Sequence, residues 1–232
     1  MSGTEPQASA FTILTVCSGN ICRSPIAQQL LRAQLADAAT PFAVFSAGTI
    51  ASAGQQMTDE AAAMSRRFGG RPDGHRSTPL SEKLVARAQL VLTATREHRA
   101  AVASLLPRAS RYVFTLNQFA RLVASADAAE LARLSTPAER LAAIAARRGF
   151  APPVEPGADD IDDPYLESFA VYERVATEIA EAAKTIAEAL SDRPSRGGVG
   201  REAPAGGRVA GEERAGVSRP SRPPAAPQDP QS

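Results

Sequence analysis

The sequence has almost no surplus charge and no long apolar run, and both absences exclude classes of function. Its 232 residues carry a formal net charge of +1, so no strong field attracts nucleic acid or an anionic membrane. No run of about 18 apolar residues is present, which predicts that the chain has no membrane span. The first residues, MSGTEPQASAF, also lack the basic and apolar regions of a signal peptide. We therefore expect a cytoplasmic protein with no nucleic-acid partner.

Cysteine is also scarce, which excludes a disulfide framework. The chain has two cysteines, Cys17 and Cys22, which are close together in the sequence. In a reducing cytoplasm such a pair is more often reactive or inert than cross-linked. A metal site that combines them with His75 and His98 is an alternative, but the histidines lie in unrelated predicted elements. We therefore predict no metal and no cofactor.

Composition divides the chain into three regions. Residues 1–9 are a short polar lead-in, which we expect to be flexible, and residues 10–190 carry all the regular hydrophobic periodicity. Residues 191–232 hold seven of the 18 prolines and seven of the 16 glycines, but no leucine, isoleucine or phenylalanine. Such a segment buries too little apolar surface to offset the entropy of ordering it. We therefore predict a disordered Pro/Gly/Arg-rich tail.

Within the middle region, short β-rich runs alternate with helical patterns. Strands are predicted over residues 11–16, 42–46, 90–93 and 112–115. Residues 125–158 are predicted to be an alanine-rich helical insertion that ends in a Pro/Gly loop, and 169–190 a long amphipathic helix. The alternation predicts an α/β fold, a four-stranded parallel sheet with helices on both faces. The carboxyl ends of such strands form the edge at which ligands bind.

The stretch 12–31, TILTVCSGNICRSPIAQQLL, is predicted to lie at that edge. A strand ends there, both cysteines follow, and Pro25 suits the first turn of a helix. Successive backbone N–H groups that lead into a helix N-terminus form a cradle for an anion. Gly19 and Asn20 are the residue types that most readily adopt the positive φ that a tight loop needs. The stretch therefore predicts an anion-binding loop.

Arg23 and Cys17 give this loop its chemistry. Arg23 offers a planar, permanently charged fork that matches two oxygens of a phosphate. Cys17 begins the loop, so its sulfur is expected to lie beneath the anion. The helix N-terminus and the arginine both stabilise a thiolate at that position. We therefore predict a phosphate held over an ionised sulfur.

The motif VCSGNICRSP resembles the nucleophile loop of the low-molecular-weight protein tyrosine phosphatases, in particular their bacterial branch. Further motifs of that family follow in order: SAGT at 46–49, GHRSTPLS at 74–81, LVLTATREH at 90–98 and IDDPYLESFAVYERV at 161–175. The resemblance implies that the chain hydrolyses phosphotyrosine through a phosphocysteine on Cys17. It also implies that the substrate is a tyrosine-phosphorylated protein, for which a bacterial tyrosine kinase is a candidate.

The same resemblance implies roles for individual residues. Arg23 and the backbone N–H groups of the loop would hold the phosphoryl oxygens. The substrate-binding loop residues are Ser18, Gly19, Asn20, Ile21, Cys22 and Ser24. Ser24 matches the hydroxyl that donates to the thiolate, and Asn20 matches the strained residue that maintains the loop. Ser46 and His75 match the positions that hydrogen-bond this asparagine.

A proton donor is needed because tyrosine phenolate is a poor leaving group. Asp163, within the sequence DDPY, matches the family's general acid. Asp159, Asp160 and Asp162 lie nearby and are competing candidates. Tyr165 is expected to form one aromatic wall of the cleft.

Three positions bear on the substrate and on redox protection. Ile21 stands where the family's phosphoarginine branch has a threonine, and an apolar residue there suits a phenyl ring. After SAGT, many family members carry an aromatic residue on the opposite wall, but Ser52 stands at about that position here. Cys22 either fills space in the loop or forms a reversible disulfide with Cys17.

Two other functions remain open at this point. Arsenate reductases share the fold and a Cys-x5-Arg loop, but their thioredoxin-coupled type needs further cysteines, and none follows Cys22. A reductase of this kind would therefore use a low-molecular-weight thiol. The second alternative is a phosphate-binding adaptor without turnover, against which the set of Cys17, Arg23 and Asp163 argues. Turnover of an aryl phosphate distinguishes both alternatives from a phosphatase.

Overall fold

The computed structural model describes residues 10–155 and 157–191, and the elements that it contains alternate as predicted. The lead-in 1–9 and the predicted tail from residue 192 onward lie outside the described residues. The elements are β1 Phe11–Cys17, α1 Arg23–Gln34, β2 Phe42–Gly48, α2 Asp59–Arg67, α3 Glu82–Arg87, β3 Leu90–Thr93, α4 Arg96–Leu105, β4 Val113–Thr115, α5 Leu116–Ala124, α6 Ala128–Arg133, α7 Pro137–Ala146 and α8 Phe169–Leu190.

The strands form one parallel sheet in the order β2–β1–β3–β4. In its register Cys17 pairs with Gly48, and Val16 pairs with Thr93. Parallel pairing requires crossover connections, and helices supply them between successive strands. The predicted four-stranded α/β fold is confirmed. The ends of β1, β2 and β3 meet at one edge, directly beside the loop that follows Cys17.

Helices cover both faces of the sheet because alternate residues of β1 point in opposite directions. Ile13 belongs to the larger apolar cluster, which includes Ile26 of α1 and Ile179 of α8. Leu14 belongs to the smaller cluster, which includes Val102 of α4. Among the described helices, none is long and apolar enough to cross a membrane.

The segment predicted as a helical insertion packs into the larger cluster. Ile144 of α7 is fully buried there. Arg140, also buried, donates hydrogen bonds to the carbonyl oxygens of Leu131, Leu134 and Leu190. A buried guanidinium requires such acceptors, since an unpaired buried charge is costly. These bonds tie α7 to α6 and to the last residue of α8.

The boundaries around the cysteines differ from those predicted. β1 runs to Cys17, and α1 begins at Arg23, two residues before Pro25. Proline is tolerated in this first turn because its missing N–H would have no partner within the helix. The loop between Cys17 and Arg23 is therefore short, and both residues are fixed by regular secondary structure.

Candidate active site

The loop of residues 18–22 presents unpaired backbone donors. Within the described part of the chain, its N–H groups donate no hydrogen bond to any residue. Its carbonyl groups are used instead: Ile50 N–H donates to Ser18 O at 3.1 Å, and Thr58 N–H donates to Ile21 O at 3.2 Å. Unpaired N–H groups in front of a helix bind anions. The loop therefore has the arrangement of an anion-binding cradle.

The Arg23 guanidinium is buried beside this cradle and is only partly satisfied. Its Nη1 donates to Ile161 O at 3.0 Å, and its Nη2 lies 2.5 Å from Asp163 Oδ2. Its buried Nε has no hydrogen-bond partner among the described residues. A buried donor without a partner costs about 1–3 kcal/mol. An anion oxygen in the cradle would satisfy it.

Cys17 lies at the base of the cradle with its thiol against a hydroxyl. Its Sγ is 3.0 Å from Ser24 Oγ, and the residue is 2% exposed. Ser24 Oγ accepts a hydrogen bond from Asn20 Nδ2 at 2.9 Å. Because that contact uses the serine oxygen as acceptor, the serine proton has two possible acceptors, the sulfur at 3.0 Å and Ala47 O at 3.4 Å, and the sulfur is the nearer.

Asn20 holds the shape of the loop. It is fully buried and has a φ of 55°, in the left-handed region. Its Oδ1 accepts the N–H of Thr78 at 2.8 Å, and its carbonyl oxygen lies 2.8 Å from His75 Nε2. A carbonyl can only accept, so His75 Nε2 carries the proton in this contact. The structure thus brings His75 to Asn20, and adds Thr78.

Two expectations about the loop are wrong. Ser46 does not bond Asn20, because its hydroxyl lies 2.5 Å from the side-chain amide of Gln28 on α1. Gly19 does not have a positive φ, and only Asn20 does so in this loop. Asn20 alone is enough because hydrogen bonds hold its side-chain amide at both Oδ1 and Nδ2.

Gly48, at the end of β2, allows the sheet to approach the loop. A Cβ there would overlap the carbonyl oxygen of Ser18 and lie 2.9 Å from the backbone nitrogen of Asn20. Glycine is therefore required on steric grounds. Sequence reasoning noted SAGT only as a family motif and did not find this reason.

The four aspartates of the acid loop, residues 159–167, pair with arginines of four different helices. The pairs are Asp159 with Arg121 of α5 at 2.7 Å, Asp160 with Arg96 of α4 at 3.2 Å, Asp162 with Arg174 of α8 at 2.9 Å, and Asp163 with Arg23 of α1 at 2.5 Å. Of these carboxylates, Asp163 alone pairs with Arg23, the residue that directly follows the nucleophile loop. Tyr165, two residues on, is half exposed and donates its N–H to Asp163 Oδ1 at 3.3 Å.

Cys22 is buried against two neutral hydroxyl groups. Its Sγ lies 3.6 Å from Thr58 Oγ1 and 3.8 Å from the Tyr172 hydroxyl, and both cysteines are free thiols. Burial raises the pKa of the Cys22 thiol to about 11. A protonated thiol is a poor nucleophile. These contacts favour the space-filling interpretation of Cys22 over the protective disulfide.

The two histidines have separate partners, and sequence reasoning missed the role of one of them. His75 faces Asn20, whereas His98 Nε2 lies 2.9 Å from Ser18 Oγ. No group of three or more His, Cys, Asp or Glu side chains among the described residues is arranged to hold a metal ion. The alternative metal site is therefore not formed by these histidines and cysteines.

Comparison with known proteins agrees with this geometry. A family model described as low molecular weight phosphotyrosine protein phosphatase matches residues 12–137. The protein-arginine-phosphatase of Bacillus subtilis (strain 168) is 36% identical over 109 residues, 46% of this chain and 71% of that protein. A probable low molecular weight protein-tyrosine-phosphatase, EpsP, of Ralstonia nicotianae is 37% identical over 107 residues, 46% of this chain and 71% of that protein. A YwlE mutant structure from Bacillus subtilis superposes with a TM-score of 0.58 at 26% identity, covering 78% of this chain and 99% of that one.

The fold and the anion cradle are those of a phosphatase of the α/β class. The chain belongs to the low molecular weight phosphotyrosine protein phosphatase family. It is an enzyme, and its reaction is the hydrolysis of phosphotyrosine in proteins. Arsenate reduction is not favoured, because the family model and the relatives named above are described as phosphatases.

Proposed function

We propose that this hydrolysis runs through a phosphocysteine on Cys17, with Arg23 binding the phosphoryl group and Asp163 acting as general acid. The observation that carries the proposal is the meeting of these groups at one point. Asp163 lies 140 residues after Arg23 in the chain, yet its carboxylate rests on the guanidinium beside the nucleophile loop. A solvated run of aspartates would not require that contact.

The geometry supports a definite sequence of steps. The phosphoryl oxygens bind the loop N–H groups together with Nε and Nη2 of Arg23, and the Asp163 carboxyl group turns towards the leaving oxygen. The Cys17 thiolate then attacks phosphorus, the bond to the tyrosine oxygen breaks, and Asp163 donates its proton to that oxygen. In the second step Asp163 takes a proton from water, which attacks phosphorus and releases the thiolate.

The test of the nucleophile separates binding from chemistry. Cys17→Ser is expected to abolish turnover of p-nitrophenyl phosphate while it keeps phosphate affinity, because the cradle is backbone and Arg23 rather than sulfur. Acid quenching of the parent during turnover is expected to trap phosphate on Cys17. Activity of the variant above about a thousandth of the parent's would overturn the assignment.

Relatives are named both as arginine and as tyrosine phosphatases, so the preference of this enzyme between the two phosphorylated residues is a separate question. Ile21, partly buried against the apolar core, supports an aryl phosphate, because a phenyl ring prefers an apolar neighbour. Tyr165 is half exposed and is the aromatic candidate for one wall of the cleft. Ile50 is 80% exposed, and its backbone N–H donates to Ser18 O at 3.1 Å, so it is an apolar candidate for the opposite wall.

Matched phosphotyrosine and phosphoarginine peptides test this choice. We expect the parent to prefer phosphotyrosine, and Ile21→Thr to lower that preference. A parent that hydrolyses phosphoarginine faster would contradict the proposed preference without affecting the nucleophile assignment.

We propose that the physiological substrate is a cytoplasmic tyrosine-phosphorylated protein, with a tyrosine kinase as the first candidate. The proposal is supported by the aryl-phosphate features of the cleft. Substrate trapping with Asp163→Ala in the native cell tests it. Phosphate must release the captured protein, and Arg23→Ala must fail to capture it.

A further inference from the structure

A chain of side chains connects the nucleophile loop to α4 and has no part in the steps above. His98 is 6% exposed, and its Nε2 lies 2.9 Å from Ser18 Oγ. Its Nδ1 lies 2.7 Å from Thr95 Oγ1, and that oxygen also accepts the backbone N–H of His98 at 3.3 Å as the helix cap. Arg23 Nη2 lies 3.4 Å from Ser18 Oγ. Ser18 is thus approached by two nitrogen atoms of buried side chains.

The protonation of His98 decides what Ser18 can do. Burial, followed by the charge of Arg23, lowers the pKa of His98, while Glu97, Asp163 and Asp160 act in the opposite direction. The ring is therefore neutral at pH 7 and carries one proton. If that proton is on Nε2, the ring donates to Ser18 Oγ. If it is on Nδ1, the Ser18 hydroxyl must donate to the ring.

We propose that Thr95 and His98 are positioning residues that aim the Ser18 hydroxyl at the bound phosphoryl group. In this arrangement the Thr95 hydroxyl donates to Nδ1 and the Nε2–H donates to Ser18 Oγ. The serine oxygen then accepts from His98 and Arg23, so its own proton is left for a phosphoryl oxygen. A phosphoryl dianion in the cradle favours this arrangement. If the His98 proton were on Nδ1, the Ser18 hydroxyl would donate to the ring, and the dianion would lose that hydrogen-bond donor.

The inference rests on the proposed function, since it adds a donor to the same cradle, but its tautomer can be measured without turnover. The chain has two histidines, which makes nitrogen-15 NMR of labelled histidine simple to assign. His75 is an internal reference because its Nε2 faces the carbonyl oxygen of Asn20 and must carry the proton. With vanadate bound, His98 is expected to show the same Nε2–H tautomer. The Nδ1–H tautomer, or a protonated ring, would overturn the proposal.

A double-mutant cycle tests whether the residues act through one another. Ser18→Ala is expected to lower kcat on p-nitrophenyl phosphate and vanadate affinity about tenfold, the value of a hydrogen bond to a charged group. His98→Ala should cause a similar loss, and the double variant should be no worse than Ser18→Ala. His98→Gln, which can donate to Ser18, and Ser18→Thr should each recover most of the activity.

The outcomes are distinguishable from failure of the proposed function. If the parent fails to hydrolyse aryl phosphates, the proposed function falls, whereas vanadate affinity and the tautomer still test the Ser18 contact. Parent-like kcat and vanadate affinity in Ser18→Ala would overturn the proposal, and so would losses that multiply in the double variant. Melting temperatures accompany each variant, and a loss of vanadate affinity only in variants that melt early would also overturn it.

Discussion

The two loops of the site are held by different kinds of contact. In the nucleophile loop, buried neutral groups bond one another, as when Asn20 bonds Thr78 and Ser24, and when Thr15 Oγ1 donates to Ser24 O at 2.8 Å. The acid loop is held chiefly by arginine–carboxylate pairs. The Asp163 side chain in one of those pairs is 49% exposed.

This difference matches what each loop has to do. Breaking a buried hydrogen bond so that one partner is left unsatisfied costs about 1–3 kcal/mol, so the nucleophile loop keeps its shape before substrate arrives. Asp163 is the half-exposed partner of a buried guanidinium, so its carboxylate can return to water while an incoming phosphoryl group keeps Arg23 paired. One loop is preorganised, and the other exchanges partners.

The largest expected effect comes from removing the proton donor of the exchanging loop. Asp163→Asn should slow cleavage of a phosphotyrosine peptide by about 10²–10⁴-fold and aryl esters of acidic phenols much less. The measurement is kcat across a series of leaving groups, whose slope should be steep in the variant and shallow in the parent. Phosphate affinity should not fall, because the carboxylate no longer competes for Arg23.

The other aspartates are the matched controls for this experiment. Asp162→Asn removes a carboxylate that pairs with Arg174 at the surface and should keep the parent's shallow slope. A steep slope for Asp162→Asn with a shallow one for Asp163→Asn would move the acid by one residue. If neither of them, nor Asp159→Asn, nor Asp160→Asn steepens the slope, the acid loop is not the proton donor.

The next largest effect comes from breaking the preorganised loop. Asn20→Ala removes two side-chain hydrogen bonds and forces a left-handed φ on alanine, which costs about 1–2 kcal/mol for the backbone alone. We expect a clear fall in melting temperature and a loss of kcat/KM that is equal for all leaving groups. Asn20→Gly relieves the backbone strain but does not restore the hydrogen bonds. Its melting temperature and kcat/KM should therefore lie between those of the parent and those of Asn20→Ala. A loss that depends on the leaving group would show that the two loops are not separable.

The salt dependence of the free energy of unfolding should distinguish the two loops, but by a smaller effect than the variants above. Arg121→Gln breaks the pair with Asp159, whose side chain is 11% exposed, and should lower the free energy of unfolding by about 1 kcal/mol at low salt. The difference from the parent should shrink as salt is added, because screening weakens the pair. Arg66→Gln, which breaks an exposed pair with Asp73, is the control and should change little. Equal effects of Arg121→Gln and Arg66→Gln on the free energy of unfolding would mean that the pair between Arg121 and Asp159 does not stabilise the acid loop.

The residues of the preorganised loop were easier to predict than the residues elsewhere in the chain that contact it. Cys17, Arg23 and Asn20 lie in one short motif whose chemistry is local, and the alternation of strands and helices placed it at the sheet edge. Thr78 and Gly48 come from other parts of the chain, and only the packed fold shows that they contact this loop. Asp163 could be chosen from its three neighbours only by resemblance, because all four carboxylates look alike until the fold assigns each one an arginine.

The smallest expected effect is a pH dependence confined to the preorganised loop. Burial lowers the pKa of His75, with Arg32 and Arg76 acting in the same direction and the bond to Asn20 opposing them. The folded pKa is therefore below that of the unfolded chain, about 6.5, so the unfolded chain takes up the proton first as pH falls. The contribution of His75 to the free energy of unfolding is complete above about pH 6.5 and declines as the pH falls below that value. Urea unfolding at about pH 7.5 and pH 5.5 should show a smaller decline for His75→Gln than for the parent, and an equal decline would contradict the assignment.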